Sequence, residues 1–186
     1  MKLISDEYKR LLEKTHREDK KWGRDGHCWA GLVGYYACKY RAQMILDYGC
    51  GKGTLKATLG PVFDAELITC YEYDPGIPEK NNWPQGDIRY ADMVVSTDVL
   101  EHIEPDCVID TLYHMKMIFR KVVFLTISTR PANKILPDGR NVHLTLMSKE
   151  AWMDQLRKVF QDCNFHCFNI KKKHHLTILI VRKGVR

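Results

Sequence analysis

The stretch Met44-Ile45-Leu46-Asp47-Tyr48-Gly49-Cys50-Gly51-Lys52-Gly53-Thr54-Leu55 constrains this chain more than any other, because an apolar strand runs into a glycine-rich turn that opens a helix. Glycines at alternate positions let the backbone turn sharply and come within contact distance of a ligand, which a Cβ would prevent. The spacing is Gly-x-Gly-x-Gly. It is not the Gly-x-Gly-x-x-Gly of dinucleotide sites, and it lacks the Gly-Lys-Ser/Thr ending of a phosphate-cradling loop. A pyrophosphate is therefore not the expected cargo.

Two further stretches agree with a ligand site built on this loop. Leu67-Ile68-Thr69-Cys70-Tyr71-Glu72-Tyr73-Asp74-Pro75 reads as a second strand with an acidic residue at its end. Glu72 stands about 20 residues beyond the loop. Ala91-Asp92-Met93-Val94-Val95-Ser96-Thr97-Asp98-Val99-Leu100-Glu101-His102-Ile103 reads as a third apolar run with a polar turn after it. The ordered set, with Asp47-x-Gly49-x-Gly51-x-Gly53 first, resembles the motifs of class I S-adenosylmethionine (SAM) dependent methyltransferases. That resemblance implies that Asp47, Gly49, Cys50, Gly51 and Gly53 contact the methionine part of the cofactor. It implies that Glu72, with Tyr73 beside it, holds the ribose, that Asp87 and Ile88 hold the adenine, and that Asp98 and Val99 line the region near the sulfonium.

Strands alternating with helices imply a doubly wound, mostly parallel α/β sheet. Helical spacing predicts an amphipathic helix from Ser5 to about Lys20 and a second from Trp29 to Tyr40, an N-terminal helical cap over residues 1–43. The Rossmann-like core then covers 44–186 of a single domain. Thr54 to Leu59 is a short helix stopped by Gly60-Pro61, and Lys121 to Ile127 is a buried strand. Ser148 caps a helix carrying Trp152, Leu156, Val159 and Phe160, and the chain ends in an antiparallel hairpin, Phe165 to Ile170 with Leu176 to Val181. The family's third strand should be short or absent near Gly86-Asp87-Ile88. In the resembled family the N-terminal segment often closes over the cofactor, which would bring Trp22, Gly23, His27 and Trp29 to the ligand. Both tryptophans read equally well as packing anchors.

Methyl transfer from a sulfonium is an in-line displacement, so alignment and exclusion of water are the first requirements. A hydroxyl or ammonium acceptor also needs a base, and His102 is the first candidate, one turn from Asp98, with His143 second. Equally, Glu101-His102 could simply begin a helix. Glu101, Arg130, Arg140 and Asn141 are candidates for holding the acceptor, the last three on a long polar loop that follows a strand and should rim the pocket.

With 186 residues, 45% of them apolar, the chain can bury one full core. No apolar run is long enough to span a bilayer and no signal-peptide core opens the chain, so a soluble, cytoplasmic protein is expected, without membrane partners. The net charge of +6 permits nucleic acid without requiring it, since basic residues are interleaved with acids. Seven scattered cysteines point to reduced thiols rather than a disulfide framework. Cys163, His166, Cys167, His174 and His175 do not converge on one strand face, so no metal is expected. The leading expectation is a SAM-dependent methyltransferase acting on an O or N atom of a small molecule. The alternatives are a nucleic-acid methyltransferase, disfavoured because the chain has neither an Asn/Asp-Pro-Pro-Tyr/Phe nor a Pro-Cys signature, and a protein that degrades or senses SAM.

Overall fold

A computed structural model describes residues 1–60, 68–82, 90–168 and 175–185. The chain opens with helix α1 (Asp6–Glu18), started by the Ser5 hydroxyl, which accepts from the Tyr8 N–H, and carrying Asp6 and Glu7 in its positive first turn. A 3-10 turn, Asp25–Trp29, leads into α2 (Ala30–Lys39). Next come β1 (Met44–Tyr48), α3 (Thr54–Leu59), β2 (Thr69–Tyr73), β3 (Ala91–Thr97), α4 (Val108–Ile118) and β4 (Phe119–Ser128). The chain finishes with α5 (Lys149–Val159), β5 (Cys163–Phe168) and β6 (His175–Arg182). Among the described residues the expected helices and strands are present, α3 with the expected bounds and the others with ends that differ by one or two residues.

The described strands form one six-stranded sheet in the order β2-β1-β3-β4-β6-β5. The first four are parallel, and β6 runs antiparallel between β4 and β5. Side chains of successive strand residues alternate between two separate cores, as the pleat requires. Leu46, Val94, Val123 and Leu125 face the layer of α4 and α5, with Trp152 and Phe160. Ile45, Met93, Val95 and Phe124 face Trp29, Val33, Ala37 and Leu55 of the opposite layer. Both faces are covered, so the strands read as continuous apolar runs; β4 is buried over its last seven residues.

A third, smaller apolar cluster joins α1 to the loop after β4: Tyr8 packs with Leu136 and Val142, flanked by Ile4, Leu11, Leu12 and Trp22. That loop is not a bare connection. An isolated bridge pairs Ile135 with Asn141 across a turn at Gly139. No helix among the described residues is long and apolar enough to cross a membrane. All seven cysteines are free thiols. Gly86, Asp87 and Ile88, where the adenine contacts and a short third strand were expected, lie outside the described residues.

Candidate functional site

Strand order reverses between β1 and β3, and in open α/β sheets that is where ligands bind, beyond the strands' carboxyl ends. A cavity of about 380 Å³ lies there, roofed by α1 and the segment that follows it. Residues converge on it from the glycine loop after β1, Asp74 after β2, Asp98 to Glu104 after β3, the end of β4 and its following loop from Ser128 to His143, His175 at the start of β6, and the N-terminal segment.

The glycine loop spends its own donors on the protein. Gly49 and Cys50 donate their N–H groups to the Tyr73 carbonyl at 2.8 and 3.2 Å. Gly51 donates to Asp74 Oδ2 at 2.9 Å, Lys52 to the Gly23 carbonyl at 2.7 Å, and Gly53 to the Cys50 carbonyl at 2.9 Å. No N–H from Gly49 to Gly53 is left for an anion, which gives a structural reason why this loop is not a phosphate cradle. Gly49, Gly51 and Gly53 all have positive φ. The space that a Cβ would need is taken by Val99 at Gly49, by the backbone of Gly23 at Gly51, and by the Glu72 carboxylate at Gly53.

The acids respond to this enclosure. Asp47 is buried, and burial together with Glu72 and Asp74 raises its carboxyl to about 8. Glu101 is fully buried, and burial together with Asp98 raises it to about 8. Asp98 holds φ +54 at the end of β3, fixed by its N–H to the Thr126 carbonyl and hydroxyl. Its Oδ1 accepts from Thr126 and lies 3.2 Å from His175 Nδ1.

His102 and His143 meet edge to face, ring centroids 4.8 Å apart. Burial and the neighbouring His143 push His102 down to about 4, and burial also lowers His143. Trp22 closes over His102 at 5.3 Å between centroids.

Of the residues singled out by sequence, Asp47, Gly49, Cys50, Gly51, Asp98, Val99, Glu101, His102, Arg130 and His143 line the cavity. Gly53 and Glu72 sit together beside it, with Glu72 Oε1 3.2 Å from Lys80 Nζ. Tyr73 serves through its backbone and packs against Tyr48. Arg140 and Asn141 turn inward to their own loop. Arg140 pairs with Asp138, while Asn141 bonds both Ala132 and the His143 N–H. Trp22 and Gly23 reach the cavity, whereas Trp29 is a core residue packed on Phe124. Sequence reasoning missed His16, Asp74 and His175, each of which lines the cavity. Only Asp74 carried a signal, standing two positions after Glu72 at a strand end.

A family model described as a methyltransferase domain matches residues 2–172. No curated protein sequence matches the chain. Among solved structures, the chain resembles the CurJ carbon methyltransferase with a TM-score of 0.59 at 12% identity, covering 84% of this chain and 54% of that one. It thus spans about half that relative's length. It resembles a Burkholderia thailandensis 1,6-didemethyltoxoflavin-N1-methyltransferase, bound to its substrate and S-adenosylhomocysteine, at 0.62 and 16%, covering 98% and 92%. It also resembles the small RNA methyltransferase HEN1 at 0.58 and 14%, covering 82% and 25%. At these identities the likeness is one of fold. The match to the family model covers nearly the whole chain, and the chain belongs to the methyltransferase domain family, as a class I, SAM-dependent enzyme.

Proposed function

We propose that the protein moves the methyl group of SAM to an oxygen or nitrogen atom of a small molecule held between the glycine loop and the His102–His143 pair. The observation that carries this reading is the acidic lining of the cavity: its loop offers no free N–H for an anion, and Asp47 and Glu101, which burial keeps protonated until a cation draws the proton off, face it along with Asp98. Such a wall suits a cationic ligand. SAM supplies an electrophilic methyl on a positively charged sulfur. Asp47, buried at the loop, is placed to meet the ligand's ammonium, and Glu72 the ribose hydroxyls, where a carboxylate can accept two hydrogen bonds. Asp98 and Val99 stand between the cofactor side and the acceptor side. His102 and His143, with lowered basicity, are neutral at pH 7 and so able to act on an acceptor's proton. Arg130, exposed at the rim, is the remaining loop cation suited to an acidic acceptor.

Calorimetry with S-adenosylhomocysteine, followed by incubation with SAM and fractionated cell metabolites, tests this. Binding together with a methylated metabolite is the expected result. Binding with release of cofactor fragments instead would replace methyl transfer by cofactor breakdown. Absence of binding at millimolar ligand would remove the reading altogether.

A further inference from the structure

One arrangement in the cavity is not explained by a cofactor pocket or by a single general base. Glu101 and His102 leave β3 on one short 3-10 turn, Leu100–His102, and His143 arrives from the loop after β4. One ligand atom from each of the three lies within 4.8 Å of the others. With Glu101 ionised, all three are acceptors. His102 Nδ1 lies 2.8 Å from the Val142 carbonyl, and His143 Nδ1 2.6 Å from the Arg130 carbonyl. A carbonyl oxygen only accepts, so each Nδ1 carries the hydrogen and each Nε2 keeps its lone pair. Glu101 Oε1 accepts from the Ser128 N–H at 2.7 Å, while Oε2 is buried with no hydrogen-bond partner.

An ionised carboxylate left unpartnered in a fully buried side chain is costly, so burial keeps a proton on Glu101 until another cation takes that proton's place. Two imidazole lone pairs beside it supply no donor. What satisfies three converging acceptors is a cation. Two imidazoles and a carboxylate on one side, with the other side open, form the donor set of a catalytic first-row divalent ion. The two Nδ1–H to carbonyl bonds are the outer contacts that fix the tautomer and ring direction of metal-bound histidines. Metal–ligand bonds of about 2.0 to 2.2 Å would draw the three atoms to roughly 3 Å from one another. The half-buried His143, mounted on a loop, can supply that movement.

We propose that Glu101, His102 and His143 bind a divalent transition-metal ion, with its open positions facing the cavity. The ion's role rests on the methyl-transfer reading; its binding does not. A hydroxyl of the acceptor coordinated there loses its proton to solvent at a lowered pKa. The alkoxide or phenolate lone pair then forms the O–C bond as the S–C bond breaks, and the bonding electrons stay on sulfur as a neutral thioether. This selects an oxygen acceptor over a nitrogen one.

The test uses untagged full-length protein stripped with chelator and titrated with Mn²⁺, Co²⁺ and Zn²⁺ by calorimetry, with the visible spectrum of the Co²⁺ form as a second readout. S-adenosylhomocysteine binding is measured on the same stripped sample. One equivalent of ion should bind, and Glu101→Gln, which keeps the side-chain shape, should weaken it by about 100-fold or more, from loss of a charged ligand. His143→Gln should do the same and is the second variant if Glu101→Gln fails to fold. Failure of all three ions to bind at millimolar concentration would overturn the proposal, as would unchanged affinity in either folded variant. With cofactor binding intact, such a failure leaves the methyltransferase reading standing. Ion binding without cofactor binding would remove that reading and leave the metal site.

Discussion

Gly51→Ala should detach the N-terminal cap from the glycine loop. At φ +52, an alanine costs about 1–2 kcal/mol more than glycine. The new Cβ would also stand 2.8 and 2.9 Å from Gly23 Cα and C, and closer still to its carbonyl oxygen. All three are backbone atoms, so no side chain can swing away. The relief available is withdrawal of Gly23, which breaks the Lys52 N–H bond to the Gly23 carbonyl, worth about 0.5–1.5 kcal/mol. The sum is about 1.5 to 3.5 kcal/mol, a fall in melting temperature of about 3 to 14 °C for a chain of this size. Gly139→Ala is the control: it has φ +88 but nothing within 4 Å of its added Cβ, so it carries the strain without the clash. Thermal and urea unfolding of both variants, with limited proteolysis around residues 19–26, would measure the difference. Equal losses in the two variants would refute the close approach of Gly23 as a source of stability.

Asp47→Asn should raise the stability of the ligand-free protein near pH 8. The wild-type carboxyl, held at about 8 in the fold, keeps its proton where the unfolded chain has lost it. Wild-type stability from this group is therefore full below about pH 4 and is lost as pH rises toward 8. Urea unfolding at pH 5 and pH 8 checks this, and an identical pH dependence in the variant would count against it. Wild-type affinity for S-adenosylhomocysteine should also strengthen, by up to tenfold per unit, as pH rises from 6 to about 7.5, because the ligand's ammonium draws the proton off Asp47. Calorimetry showing a flat profile would remove Asp47 from that role. Glu72→Ala should weaken S-adenosylhomocysteine by about 10- to 150-fold, the equivalent of about 1.5–3 kcal/mol for hydrogen bonds to a charged group. Unchanged affinity would mean that Glu72 serves only its ion pair with Lys80.

The sheet was legible in the sequence because its strands are buried on both faces. Ile45-Leu46, Met93-Val94-Val95 and Val122 to Leu125 are unbroken apolar runs whose alternate members feed two different cores. That the glycine loop, the turn with Glu101 and His102 and the loop with His143 meet at one end of the sheet was legible for a related reason, since in a parallel sheet the residues just after each strand gather there, but the convergence of those three side chains was not. Contacts between segments far apart in sequence were not. Nothing local to Gly51 reveals that Gly23 occupies its missing side chain's place, and the use of the loop's N–H groups by Tyr73, Asp74 and Gly23 follows from tertiary register. Arg140 and Asn141 show the limit for polar loops. Composition marked them as ligand contacts, yet Asp138 two positions before Arg140, and the turn at Gly139, give both side chains nearer partners within the loop.

The roof formed by α1 is tied down on both sides of the cavity. On the side of the glycine loop, Lys52 Nζ holds the His16 carbonyl. On the side of the segments after β3 and β4, Ser5 bonds Glu104 through both its N–H and its hydroxyl, and Lys134 pairs with Asp19. One rigid helix therefore senses both halves of the pocket, and neither can be vacated without loosening the ties that serve the other. For the methyl transfer proposed above, one opening of this roof would release spent cofactor and product together, and its rate would set a ceiling on turnover separate from the chemical step. Because the Lys134–Asp19 and Lys2–Asp106 ties, at opposite ends of α1, are exposed ion pairs, that ceiling should lift as ionic strength rises, a salt response opposite in sign to that of a pocket whose charges attract its ligand.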